Sequence, residues 1–160
     1  DKMPQVKGFI DLDSYGIGSF EIAQAFTLPA LAENTAFNML AVDILIDMVD
    51  PLSGEPYGFA YVQRGQVLTG NQASVLSLYD SRVVTEMTSD LNMAQVYDFV
   101  AQASGIYTQI ILRADFFTGS ELTLVLLVNK FAAGPTFRVG ARIIYQIEKV
   151  SSSESIRFSI

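Results

Sequence analysis

Carboxylates are the main candidates for catalytic or metal-binding side chains in this chain, because its 160 residues include no His and no Cys. Without these two types the chain lacks the commonest general base, the thiolate nucleophile and the usual ligands of transition metals. The first acidic cluster, residues 11–16 with the sequence DLDSYG, resembles the start of a calcium loop. An EF-hand loop closes with a glutamate at its twelfth position, and that position counted from Asp11 is Ile22. The spacing therefore favours a plain acidic turn, and we expect no metal and no other cofactor.

A second pair of carboxylates, Asp43 and Asp47, lies on one face of a predicted strand. Four residues of strand separate the two groups by roughly 13 Å. Paired carboxylates in glycosidases lie roughly 5 to 9.5 Å apart. The spacing predicts a solvated strand face, so we expect no catalytic residue and no enzyme. An enzyme would need Asp or Glu pairs that the fold brings together from distant strands.

The charge of the chain argues against nucleic acid and membranes as partners. Seventeen acidic residues outnumber ten basic ones, and the net charge is −7. Non-specific nucleic-acid binding needs clustered Lys and Arg, and Arg138 and Arg142 are the only close basic pair on one strand face. In a shell, many copies of this pair could line an inner wall and add weak contacts. The longest apolar run, residues 124–128, is far shorter than the roughly 20 residues of a membrane span, so we expect no membrane insertion.

The composition favours contacts between subunits. Apolar residues make up 50% of the chain and charged residues only 17%, against about 25% charged residues in ordinary domains. Part of the apolar surface would then be buried against other subunits, and the alternative is a very full core. The candidate interface residues are large apolar side chains outside the strand alternation: Leu28, Leu31, Phe117 and Phe131.

Alternation with period two predicts seven strands. They cover residues 20–28, 37–49, 57–67, 74–85, 106–117, 122–131 and 137–150. The strand at 122–131 is apolar on both faces, so it should lie centrally in a sheet. The predicted central core consists of the inward residues of three strands: Leu40, Val42, Ile44, Ile46, Leu124, Leu126, Ile143 and Tyr145.

One segment has helical spacing instead. Ser89 is a good N-cap, apolar residues from Met93 to Ala103 recur at helical intervals, and Gly105 follows where a C′ glycine belongs. We therefore predict one short helix at residues 90–104. Residues 1–19 would be an N-terminal extension, 20–150 the β-sandwich domain and 151–160 a C-terminal tail, in which residues 156–160 could add an edge strand.

These elements predict an all-β fold, an antiparallel two-sheet sandwich of jelly-roll type with one short helix. Their order resembles the single jelly-roll capsid proteins of small icosahedral viruses, and residues 137–146 (FRVGARIIYQ) look like the final strand of those proteins. The resemblance implies eight strands in two four-stranded sheets. It also implies a structural, self-assembling viral capsid subunit that contacts copies of itself, and other shell proteins, in a virion. The alternative is a secreted, extracellular β-sandwich module that binds carbohydrate or serves as a receptor ligand.

Overall fold

Nine β-strands make up the fold in a computed structural model that describes residues 4–48, 60–89, 107–111, 116–130 and 137–153. A 3-10 turn, Leu12–Ser14, follows the first strand. The strands are β1 (Gln5–Asp11), β2 (Gly18–Thr27), β3 (Thr35–Met48), β4 (Ala60–Thr69), β5 (Val83–Ser89), β6 (Tyr107–Ile111), β7 (Phe116–Phe117), β8 (Glu121–Lys130) and β9 (Phe137–Lys149).

The strands form two antiparallel sheets that face each other. The first sheet has the order β1-β9-β3-β7, and the second has the order β2-β8-β4-β5-β6. β6 lies at the outer edge of the second sheet. If the other eight strands are renumbered from one to eight along the chain, their order is 1-8-3-6 in the first sheet and 2-7-4-5 in the second. This connectivity is that of the jelly roll, in which successive strands cross between two four-stranded sheets. The predicted fold class is confirmed.

The core lies between the two sheets because alternate residues of each strand point inward. Leu124 and Leu126 of β8 are fully buried, and Ile143 and Tyr145 of β9 belong to the same apolar cluster. β8 lies between β2 and β4, as its two apolar faces predicted. The ring of Phe37 on β3 meets Tyr145 edge-on, with the ring centroids 5.1 Å apart.

A β-bulge in β3 corrects one residue of the predicted core. The register against β9 shifts between Met39 and Ala41, so the inward positions change from odd to even numbers along the strand. Met39 is therefore buried, whereas Leu40 is 44% exposed. Val42 and Ile44 are buried as predicted, and the side chain of Ile46 lies outside the described residues.

The predicted strand at residues 74–85 is wrong over residues 74–82, because residues 70–82 form a loop and β5 begins only at Val83. The apolar residues that suggested a strand, Val75 and Leu76, pack instead on a small second cluster of Leu68, Val83 and Val125. The predicted strand at 106–117 contains two strands, β6 and β7, which belong to different sheets. Residues 5–11, assigned by sequence to an N-terminal extension, form β1 and pair along β9.

The predicted helix at residues 90–104 lies outside the described residues, as does the possible strand at 156–160. Ser89, its predicted cap, is the last residue of β5 and pairs with Tyr107. No helix in the described ranges has the length and hydropathy to cross a membrane.

Candidate assembly surface

Large apolar side chains are exposed at several separate places on the described surface. Phe9 lies on the outer face of the first sheet and is 58% exposed, and Ile17, between β1 and β2, is 64% exposed. Leu78 and Tyr79 lie in the loop between β4 and β5, and Tyr79 is 101% exposed. Single exposed apolar side chains are ordinary on a protein surface, whereas neighbouring ones, as at Leu78 and Tyr79, can form a contact surface.

The loop of residues 70–82, called the β4–β5 loop below, is held on the second sheet by a buried polar network. Glu86 of β5 and Gln66 of β4 point outward from the sheet, yet both are buried because the loop covers them. The Gln66 amide donates to the Leu76 carbonyl oxygen at 2.8 Å and accepts from the Leu76 N–H at 2.8 Å. The loop is therefore anchored to β4 through the backbone of Leu76.

The carboxylate of Glu86 is the centre of this network. Its Oε1 accepts from Arg64 Nε at 3.0 Å, from Arg64 Nη2 at 2.6 Å and from Gln66 Nε2 at 2.6 Å. Arg64 Nη2 also donates to the Leu76 carbonyl oxygen at 3.0 Å. A buried carboxylate with these charged and neutral donors is a structural group, because a carboxylate left without partners in the interior would be costly.

A second ion pair, Asp80 with Arg82, organises the exposed part of the same loop. Both ends of the Arg82 guanidinium reach the carboxylate, with Nη2 to Oδ2 at 2.7 Å and Nε to Oδ1 at 3.0 Å. These hydrogen bonds lower the pKa of the Asp80 carboxyl to about 2. The same contact raises the pKa of the Arg82 guanidinium. The pair holds the loop immediately after Leu78 and Tyr79 in one shape.

An open cleft of about 340 Å³ lies beside the base of this loop. Its lining includes four polar residues, Gln72, Arg82, Ser120 and Glu121. The Arg82 guanidinium already contacts the Gln72 side-chain oxygen at 3.3 Å. The aromatic side chain of the lining, Phe117, is buried, so the described cleft offers little exposed ring surface to a sugar.

The basic pair Arg138 and Arg142 lies on the outer face of the first sheet, where each residue has an acidic neighbour. Arg142 Nη2 lies 2.8 Å from the Asp43 carboxylate, and Arg138 Nε lies 3.9 Å from that of Asp11. The Arg138 guanidinium also lies over the Phe9 ring, 5.0 Å from its centroid. The positive charges that could line the inner wall of a shell are therefore offset locally by carboxylates.

The three candidate interface residues in the described part of the chain pack into or against the core. Leu28 and Phe117 are buried, and Leu31 is half-buried against the main core. Phe131 lies outside the described residues. Within one chain, Leu28 and Phe117 thus belong to the core, and an interface role for the set stays a prediction.

The acidic residues considered for chemistry are dispersed as well. Asp11 and Asp43 contact arginines of β9, whereas the side chains of Asp13 and Asp47 lie outside the described residues. In the described part of the chain, no three acidic groups lie close enough together to hold a metal ion.

Comparisons of the chain with protein-family models, with curated proteins and with solved structures found no match.

Proposed function

We propose that this chain is a structural subunit that assembles with copies of itself into a shell, as jelly-roll capsid proteins of viruses do. Other shell proteins would be its further partners, and the virion its location. The proposal gives the chain no catalytic role. It also includes no tight binding of nucleic acid, in agreement with the net charge of −7.

The observation that carries the proposal is the distribution of exposed apolar side chains over different sides of one sandwich. Phe9 is exposed on the outer face of the first sheet, and Leu78 and Tyr79 are exposed on the loop that covers the second sheet. These are opposite sides of the molecule, and Ile17 adds a third place in the β1–β2 connection. A subunit with several contact surfaces can form rings or closed arrays, whereas a simple dimer needs one.

Light scattering after size-exclusion chromatography tests the proposal. We expect the average mass of the wild-type protein to rise with concentration well beyond that of a dimer. Replacing Leu78 and Tyr79 together with Ser should lower the mass without loss of folded protein, because both side chains lie outside the core. Gln63→Ser, a change at another exposed position, is the matched control. A wild-type protein that stays monomeric at every concentration would contradict the proposal.

A secreted binding module is the second candidate, and the fully exposed ring of Tyr79 favours it. An aromatic ring presented on a rigid loop can stack on a sugar ring, and Glu86 and Asp80 hold this loop in shape through their arginine partners. A glycan array with wild-type protein and the Tyr79→Ser variant separates the two functions. Sugar binding that the variant loses supports the module, and no binding to any glycan removes its carbohydrate form.

A further inference from the structure

The free edge of β2 is a long, regular strand edge of the described sheets with little protection against pairing. β2 spans ten residues, Gly18–Thr27, and pairs with β8 in one unbroken register. It contains no Pro and no Lys, and Glu21 is its single charged residue. Strand edges of soluble proteins are normally protected by charges, Pro, bulges or short length, because unpaired backbone groups recruit other strands.

The other described edges carry such protection. β1 is shorter and has Lys7 and Asp11 along its length. β7 at the opposite edge of the first sheet has two residues, and β6 at the opposite edge of the second sheet has five. In the described residues β7 pairs only with Phe37 and Asn38, so β3 forms the rest of that edge, where a bulge after Met39 and the charged Asp43 interrupt it. β2 is therefore longer than the other three edge strands, and it carries one charge where β1, the next in length, carries two.

The hydrogen-bond pattern shows which groups of β2 face away from the sheet. The Leu28 N–H donates to the Ser120 carbonyl oxygen at 2.8 Å, so even-numbered residues of β2 point their N–H and C=O groups toward β8. The odd-numbered residues then direct these groups to the free edge: Ser19, Glu21, Ala23, Ala25 and Thr27. One of them, the Ala25 carbonyl oxygen, accepts a hydrogen bond from the neighbouring Gln24 side chain at 3.2 Å. The β4–β5 loop reaches β2 at one side chain, because the Val75 N–H donates to the Glu21 carboxylate at 3.0 Å. Ser19, Glu21, Ala23 and Thr27 nevertheless remain exposed along the edge.

We infer that the β2 edge pairs antiparallel with the β2 edge of a second copy, so that the second sheets of two subunits join into one continuous sheet. This inference rests on the proposed self-assembly and names one of its interfaces. In such a two-fold pairing the same residues meet from both sides. The register centred on Ala23 uses all five edge residues, with Ser19 opposite Thr27 and Glu21 opposite Ala25. Five such pairs supply about ten backbone hydrogen bonds.

The side chains of β2 favour a second copy over an unrelated strand. Centred on Ala23, the pairing places each Glu21 opposite a small, neutral Ala25. The two Glu21 carboxylates are then about four residues apart along the ribbon, roughly 13 Å, which exceeds the Debye length of about 8 Å at physiological salt. The central contact is Ala23 against Ala23, and so small a side chain permits close approach.

A single-cysteine experiment tests this register directly, because the natural chain has no Cys. In the Ala23→Cys variant the two new thiols face each other across the axis, with Cα atoms about 5.5 Å apart, within the range of disulfides. Oxidised glutathione should convert most of this variant into a covalent dimer, seen by electrophoresis without reductant. Ser19→Cys, also at an exposed edge position, places its thiols about eight residues apart, roughly 27 Å, and should give at least about tenfold less dimer.

The outcomes separate this inference from the proposed function. Strong cross-linking at position 23 and weak cross-linking at position 19 support the β2 pairing, whether the dimers go on to form shells or not. Equal cross-linking at both positions, or none at position 23 in a protein that light scattering shows to be associated, overturns the pairing and leaves self-assembly standing. A wild-type chain that stays monomeric overturns both. Ala23→Pro, which removes an edge-facing N–H, should also reduce association while Ala23→Ser keeps it.

Discussion

Gly65 and Leu126 offer a quantitative test of the register between β4 and β8. The two residues pair across the strands at the centre of the second sheet, just after a register shift between Val62 and Arg64. A Cβ atom added at Gly65 would lie 3.2 Å from Leu126 Cδ2 and 3.5 Å from Met87 Cε. The contact with Leu126 is tighter than ordinary van der Waals contact, so Gly65→Ala should push against that side chain.

The size of the effect follows from competing terms. Gly65→Ala should gain about 0.5–1 kcal/mol from reduced backbone freedom and lose about 1–3 kcal/mol from overpacking. Leu126→Ala alone should cost about 2–5 kcal/mol, because Leu126 is fully buried. In the double variant the clashing methyl group is gone and the new methyl group fills part of the cavity. We therefore expect the double variant to lose about 1–3 kcal/mol less free energy of unfolding than the two single variants lose together.

Urea unfolding followed by far-UV circular dichroism measures the four free energies of unfolding. All proteins must be studied at one concentration, since association adds to apparent stability. The matched control combines Gly65→Ala with Leu124→Ala, because Leu124 pairs with Val67 and is not among the nearest contacts of a Cβ at Gly65. Additive effects of Gly65→Ala and Leu126→Ala, within about 0.5 kcal/mol, would refute the register.

Four further results are expected. Asp80 should titrate with a pKa of about 2 in a carbon-13 NMR experiment, below its ordinary 3.8; because the folded value is depressed, its contact with Arg82 stabilises the loop above about pH 4 and is lost as pH falls toward 2, and an unshifted midpoint would contradict the pairing. Glu86→Ala should cost about 2–4 kcal/mol in urea unfolding, because it leaves donors without their acceptor, and a loss below about 0.5 kcal/mol would show that the network is not structural. Met39→Ala should cost about 2–5 kcal/mol and Leu40→Ala under about 1; the reverse order of stabilities would contradict the bulge in β3. An anisotropy titration of the unassembled subunit with DNA or RNA at about 150 mM salt should show no submicromolar binding, and such binding would mean that the charges were misjudged.

Much of the fold could be predicted because hydrophobic alternation depends on burial of one strand face. The central place of β8 followed from its two apolar faces, and Leu124 and Leu126 are fully buried. The long last strand, β9, could also be predicted from its alternation, since Ile143 and Tyr145 lie on one inward face beside β3.

Other features could not be predicted because they depend on contacts distant in sequence. The bulge that exposes Leu40 lies in an unbroken apolar run, where nothing marks the extra residue. β1 could not be predicted partly because one of its inward positions is Gly8. Glycine suits this position, since a Cβ atom there would lie 3.3 Å from the Phe26 ring. Val75 and Leu76 suggested a strand because apolar residues that pack under a loop have the same composition as residues in a sheet.

The surface features were the least predictable. Leu28 and Phe117 are candidates for an interface by sequence because they are large and apolar, yet such residues are usually buried. The exposed Tyr79 could be separated from them only once the strands were placed. The flanking glycines of Ile17, Gly16 and Gly18, are a local signal that this residue lies in a connection and not in a strand.

Negative-stain electron microscopy of the concentrated, purified chain tests the central claim of self-assembly into a shell most directly. The jelly-roll connectivity, the exposed apolar groups on opposite sides and the unprotected β2 edge together predict closed particles of uniform diameter. Fields that contain only single subunits or shapeless aggregates at every concentration would contradict the claim.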